Sequence, residues 1–326
     1  MRIRQAIIGL ALSACALVAG ATAANAAVPS ASGHAARPWR IVDLGLGAGS
    51  SAEAINERGH VVGESPAGGF LWRHGRVTYL GHLPGHVRSW ATDINNRDEV
   101  VGFSAAANGR SHAFLWRRGV MTDLGVLPGG HDSYASGIND RGDIVGYSDS
   151  AGNEELRAVR WHHRKMTLLD SRSPHSIAND INNRGDVVGY VDYGQYVGSA
   201  AVRWRHGRMQ VLTTDLSINP VAVNQRGDIT GLVFGDVTHG FLWQRGRLVP
   251  IDPPPGSVYL RPYGINNRDQ IVGFTESFAF LWQHGRTIAL PGGASEAHDI
   301  NNRGQVVGSR TTDPHHTLAH AVLWTR

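Results

Sequence analysis

A short apolar–polar pattern returns seven times along the chain. It reads INERGHVVG from Ile55, INNRDEVVG from Ile94, INDRGDIVG from Ile138 and INNRGDVVG from Ile181. It continues as VNQRGDITG from Val223, INNRDQIVG from Ile265 and INNRGQVVG from Ile300. Each copy is followed by a second apolar segment ending in Trp72, Trp116, Trp161, Trp204, Trp243, Trp282 or Trp324. Most are followed by a third, such as VMTDLG, MTLLD or MQVLT. Copies start 35 to 44 residues apart, the spacing of solenoids and propellers. Short runs rich in Val, Ile, Phe and Trp, separated by Asn, Asp and Gly, predict strands, and no helical periodicity of useful length appears.

Each repeat predicts four antiparallel strands. The first leads into Ile or Val, as in Ser133-Tyr134-Ala135-Ser136-Gly137-Ile138. A hairpin at Asn-x-Arg-Gly leads to the second strand, IVGY or its like. Gly59, Gly142, Gly185, Gly227 and Gly304 are expected to take a left-handed conformation in that turn, with Asp98 and Asp269 in the same slot. The Trp segment is the third strand, and Trp-x-x-Gly turns into the fourth. Four strands per repeat of about 40 residues describe a propeller blade. The chain enters the pattern at Trp39-Arg-Ile-Val-Asp-Leu-Gly45, a fourth strand without its first three. It leaves at Ala321-Val-Leu-Trp-Thr-Arg326, a third strand without its fourth. The two fragments complete one blade, so the expectation is an all-β, seven-bladed propeller over 39–326, closed by the N-terminal strand outermost in the last blade.

The copy Ser111-His112-Ala113-Phe114-Leu115-Trp116, followed by MTDLGVLPGG and INDRGDIVG, resembles the extracellular HAF repeat family over essentially all of 39–326. The literal His-Ala-Phe occurs once; elsewhere His239 precedes Gly-Phe and His320 precedes Ala-Val. The resemblance implies a secreted bacterial β-repeat protein and supplies no catalytic residues.

Composition fits this reading. Of 326 residues 41 are Gly, many of them placed at the repeat's turns and at the end of each second strand. The seven periodic Trp fit inter-blade packing, each burying roughly 150–250 Å². The formal charge of +4, of which Arg2 and Arg4 carry two, is too small for a dedicated nucleic-acid binder. Residues 1–26 read as a signal peptide, with an apolar run from Ala6 to Ala21 and Ala24-Asn25-Ala26 at the cleavage site. Residues 27–38 read as a flexible linker. Export with cleavage after Ala26 is expected, and lipidation at Cys15 in Leu12-Ser-Ala-Cys15 is a second possibility. No membrane span is expected. Cys15 is the only cysteine, so cleavage leaves a domain without thiol chemistry or Cys-based zinc.

Candidate chemistry is sparse. Arg-Gly-Asp at Arg141, Arg184 and Arg226 reads as the repeat's hairpin, not as an adhesion motif. Asp313, His315, His316 and His320 are the best metal candidates, in a spacing that fixes no common face, and neither a metal nor a cofactor is assigned. The informative positions break the repeat. Four residues before each anchoring Ile or Val stand Ser51, Trp90, Tyr134, Ile177, Asn219, Arg261 and Glu296. Two before stand Glu53, Thr92, Ser136, Asn179, Val221, Tyr263 and His298. From these, Trp90, Tyr134, Arg261, Tyr263, Glu296 and His298 are predicted to form an aromatic–polar mouth of the central channel. The reading that follows is a monomeric, non-enzymatic binding propeller for an extracellular glycan or protein. Two alternatives remain. One is a polysaccharide hydrolase or lyase using Glu296 and His298 as acid and base, with Glu53 as second carboxylate. The other is a structural protein of the cell envelope.

Overall fold

The β-branched runs pair as the pattern predicts. A computed structural model describes residues 38–151, 155–170, 172–192, 199–214, 218–311 and 318–326. Within them the chain forms seven four-stranded antiparallel sheets and no helix. The sheets are the blades of a seven-bladed β-propeller. Blades one to six span 51–79, 86–123, 133–168, 175–213, 218–251 and 260–289, and in each the strands lie side by side in chain order. Blade seven takes three strands from 295–325, and its outer strand is Arg40–Asp43, from the other end of the chain. The register sets Arg40 opposite Thr325, Ile41 opposite Trp324 and Asp43 opposite Val322. The expected signal peptide, linker and Cys15 lie outside the described residues.

The core is divided among the blade interfaces. Leu124 and Val101 of blade two pack against Ile138, Val159 and Trp161 of blade three. The Trp161 indole also donates a hydrogen bond to the Leu124 carbonyl at 2.9 Å. Six of the seven periodic Trp are buried and Trp243 is half-buried. The Asn-x-Arg-Gly slot is left-handed in all seven copies, with φ of 82° at Gly142 and 59° at Asp98. An aspartate tolerates this region better than most side chains do. In blades two, three, four and five the last residue of that turn is buried: Glu99, Asp143, Asp186 and Asp228. The Arg-Gly-Asp copies therefore hold their aspartates inside the turn, where Arg160 reaches Asp143 at 2.8 Å and Arg205 reaches Asp186 at 2.9 Å.

The Asn of the repeat has a role that no single repeat reveals. Asn139 Oδ1 accepts the backbone N–H groups of Arg141 and Asp143, each at 3.0 Å, which shapes its own turn. Its Nδ2 donates to the carbonyl of Asn182 in the next blade at 3.1 Å. The same donation runs from Asn56 to Asn95, Asn95 to Asn139, Asn182 to Asn224, Asn224 to Asn266 and Asn266 to Asn301. It closes from Asn301 to Asn56 at 3.0 Å. A second circlet lies on the solvent side of the first. The backbone N–H of Glu57 donates to the Asn96 side chain, Asn96 to Asp140, Asp140 to Asn183, and so on to Asn302, which donates back to Glu57. Two seven-membered rings of hydrogen bonds thus tie the blades together on the face of the short turns.

Candidate functional site

The inner strands give the channel its shape. Each carries a β-bulge opposite the glycine of the second strand: Ala135 pairs with Gly146 and Gly137 with Val145, leaving Ser136 extra. The bulge drives the Tyr134 carbonyl over Gly146, where a Cβ would stand 2.0 Å from that oxygen. All seven second-strand glycines meet the same obstacle, at 1.9–2.1 Å. They are there because the neighbouring backbone leaves no room for a side chain. One residue beyond, paired side chains flank the channel mouth: Trp90 faces Phe103, Tyr134 faces Tyr147, and Ser51 faces Glu64.

On blades two and three these pairs form a continuous aromatic arc. Trp90 stacks on Phe103 at 4.9 Å between centroids and 12° between planes. Phe103 meets Tyr134 at 4.9 Å, and Tyr134 stacks on Tyr147 at 4.9 Å. The Arg88 guanidinium sits over the outer side of Trp90, 4.9 Å from the ring. The arc walls a cavity of about 280 Å³ that reaches from the mouth to the middle of the channel.

The adjoining wall, on blades seven and one, is charged. His298 is buried, with Nδ1 3.0 Å from the Ala52 carbonyl and 3.4 Å from Glu53 Oε2, and Nε2 3.3 Å from Glu296 Oε2. A carbonyl only accepts, so Nδ1 carries a proton, and the carboxylate beside Nε2 favours a second. Burial opposes that charge, but Glu53 and Glu296 outweigh it and hold the pKa well above the ordinary histidine value. Burial likewise opposes the Glu53 carboxylate, while His298 and the Ser51 hydroxyl (2.6 Å) keep its pKa below normal. Glu64 goes the other way, raised by burial and by Glu53. Ser51 Oγ lies 3.4 Å from His298 Nδ1, a Ser–His contact in outline. The protonated Nδ1 cannot accept the Ser51 proton, which points to Glu53 instead.

Three aspartates form the floor. Asp93, Asp180 and Asp299 precede the anchoring Ile in blades two, four and seven, where other blades carry Ala or Gly. Each binds its own blade's next N–H with one carboxylate oxygen and an N–H of the following blade with the other. For Asp93 these are Ile94 and Ile138, both at 2.7 Å. For Asp180 they are Ile181 and Val223, and for Asp299 Ile300 and Ile55. Burial, and then the charges of Asp180 and Asp299, raise Asp93 well above the usual carboxylate range. Burial raises Asp180 to about 6 and Asp299 to about 7. The same three residues line a second cavity of about 160 Å³ that opens on the Asn face, so the two mouths meet at this waist.

Of the six residues predicted for the mouth, Trp90, Tyr134, Tyr263 and His298 line the cavity. Glu296 joins through His298 at the rim. Arg261 lies outside the lining, its guanidinium 5.2 Å over Tyr259. Sequence reasoning missed Glu64, Phe103, Tyr147 and Tyr190, all of which line the cavity. Their signal was the residue after each VVG, which varies as widely as the inner strand it faces. It also missed the three aspartates. Of the metal candidates, His320 sits 3.1 Å from Asp43, while Asp313, His315 and His316 lie outside the described residues. Among the described residues no group of three or more His, Cys, Asp or Glu is arranged to hold a metal ion, and no helix is long and apolar enough to cross a membrane.

No protein-family profile and no curated protein sequence matches the chain. Several solved propeller structures do match in fold. A prolyl endopeptidase is 14% identical with a TM-score of 0.51, over 84% of this chain and 50% of its own. The extracellular domain of a one-component system from B. thetaiotaomicron is 11% identical with a TM-score of 0.50, over 89% of this chain and 40% of its own. TolB from Acinetobacter baumannii is 11% identical with a TM-score of 0.47, over 84% of this chain and 63% of its own. The chain thus spans less than two thirds of each, and the likeness at this identity is one of fold alone.

Proposed function

We propose that the chain is a secreted, monomeric binding propeller that takes part of an extracellular glycan or protein into its channel mouth, without a cofactor. One observation carries this reading: the two ends of the channel are built to different rules. On the Asn face every blade repeats the same side chain in the same ring. At the other mouth the blades differ, and the differences converge on an aromatic arc beside carboxylates, as in sites that stack an apolar body and orient its polar groups. The signal-peptide pattern and the resemblance to extracellular HAF repeats support export. A hydrolase or lyase reading would draw on Glu53, Glu296 and His298, but the imidazole is engaged at both nitrogens and lacks a free base position.

The test is binding by the protein purified from the medium, with its N-terminus read by intact mass. Cleavage after Ala26 is expected; an acylated Cys15 would overturn that part. Glycan-array and cell-wall pull-down signals should fall at least about ten-fold in Trp90→Ala/Tyr134→Ala at an unchanged melting temperature. Signals that survive both substitutions would remove the mouth as the site.

A further inference from the structure

The mouth has a charge opposite to that of the molecule. The chain is formally cationic at +4, yet its channel is lined by carboxylates. Among the described residues neither Lys nor Arg lines either cavity. Among the described residues the cation facing the channel is His298, already flanked by Glu53 and Glu296. Nothing positive in the lining answers the three aspartates of the floor. Their backbone donors satisfy hydrogen bonding, but burial disfavours their charged form, so a cation arriving beside them would favour the ionised carboxylates.

A second feature of the cavity is unfinished. Tyr147 is 7% exposed and lines the cavity, and its phenol has no hydrogen-bond partner among the described residues. The hydroxyl keeps access to the cavity, where a ligand or water can complete it. Its ring belongs to the aromatic arc, so the open hydroxyl and the stacked faces lie on one wall.

Resting on the binding reading above, we propose that the mouth receives a primary alkylammonium of the kind a lysine side chain presents. Its methylenes would lie along Trp90, Phe103, Tyr134 and Tyr147, and its charged head would reach Asp93, Asp180 and Asp299. Three arguments fix this class. The aromatic faces favour an apolar stem and, through their quadrupoles, a cation. The carboxylate floor favours a positive head and repels an anion. The geometry favours a linear stem. Trp90 and Asp93 are three residues apart on one strand, so mouth and floor are separated by roughly 7–10 Å at about 3.3 Å per residue. A lysine carries its charge at the end of a flexible four-carbon stem, ahead of its backbone; an amino sugar carries its amine on the ring itself. The cavity of about 280 Å³ suits one such side chain and not a folded partner.

The experiment is calorimetric titration of the purified protein with Nα-acetyl-lysine methylamide and with its Nε-acetylated counterpart, which keeps the stem and loses the charge. The ammonium compound should bind at least about ten-fold more tightly. Asp93→Asn should reduce that preference to about three-fold or less. Should Asp93→Asn fail to fold, Tyr147→Phe, which removes only the unpartnered hydroxyl, should weaken the lysine compound a few-fold at an unchanged melting temperature. Equal binding of the two compounds, or none below roughly 10 mM, overturns the proposal. So does glucosamine binding as tightly as the lysine compound, which would assign the site to amino sugars. A pull-down signal lost in Trp90→Ala/Tyr134→Ala, together with no ammonium preference, leaves the binding propeller standing and removes the alkylammonium. A pull-down that those substitutions leave intact removes both.

Discussion

Asn139→Ala tests the inner circlet of hydrogen bonds at one of its seven links. The side chain is 3% exposed and makes four hydrogen bonds. Two are donated, to Asn182 O and to Asp143 Oδ2, both at 3.1 Å; two are accepted, from the Arg141 and Asp143 backbone at 3.0 Å. Each bond contributes about 1 kcal/mol net, and truncation also strands the Asp143 N–H in buried surroundings, while the Asn182 carbonyl keeps the Gly185 N–H at 2.9 Å. The total is on the order of 3–6 kcal/mol, and at about 2–4 °C per kcal/mol for a domain of this size the melting temperature should fall by roughly 10 °C. Asn183→Ala in the outer circlet is the control. Its side chain is only half-buried and links chiefly to Asp140, so about 1–2 kcal/mol is expected. Asn139→Asp separates turn from ring, because it keeps the acceptor that shapes the turn and loses both donations. Urea unfolding followed by circular dichroism, with the m-value checked for two-state behaviour, gives the comparison. If Asn139→Ala lowered the midpoint no more than Asn183→Ala does, the ring would be decoration on blades held by their apolar interfaces alone.

Three other outcomes follow from the same geometry. Gly146→Ala places a Cβ 2.0 Å from the Tyr134 carbonyl and should cost more than about 3 kcal/mol. Gly119→Ala, at φ 86° with open space around it, should cost only about 1–2 kcal/mol, and similar melts for the two would refute the close-approach reading. Deleting 39–43 removes the outer strand of blade seven and exposes Trp324, so a melt unchanged from the parent would contradict closure through that strand. The third outcome concerns pH. Asp180 and Asp299 have folded pKa values raised to about 6 and about 7, so their stabilising contribution is complete below the unfolded value near 4 and is lost as pH rises through 6 to 7. The raised His298 acts in the same sense above its own unfolded value. Asp143, which burial would raise, is held down to about 2 by Arg160, Asn139 and His162, so its contribution is lost only as pH falls below about 4. The melting temperature should therefore decline by several degrees between about pH 5 and pH 8, and a flat or rising profile would show that the floor aspartates are not held protonated.

The blades were legible because the repeat states every strand and turn seven times. The left-handed slot at Gly142 could be named, along with its Asp98 and Asp269 substitutes, since backbone sterics act within four residues. The Asn ring could not. Asn139 is fully accounted for by its own turn, and its second partner, Asn182, comes close only once the blades curve into a circle. The site was half legible for a related reason. Trp90 stands out as an aromatic outside the periodic Trp slot, and Tyr134 lies on the same inner-strand position. Phe103 and Tyr147 sit on the second strand behind a glycine that reads as a spacer, until the bulge shows that the glycine lets the two strands close up. Asp93, Asp180 and Asp299 are hidden by their own irregularity, three of seven in one slot. Nothing local distinguishes a carboxylate on a turn from one facing two others across a channel.

The outer strand of the seventh blade has a consequence in time. Arg40 is made early and Thr325 among the very last of the residues described, yet the two are neighbours. Six blades can form behind the growing end while Arg40–Asp43 waits without a sheet to join. Until the hairpin carrying Asn301 and Asn302 arrives, neither circlet can complete and the channel has no fixed bore. Assembly of the binding mouth is therefore an event of completion: a chain stopped short of its final blade would hold nearly every residue of the aromatic arc and floor and still lack the enclosure that makes them a site.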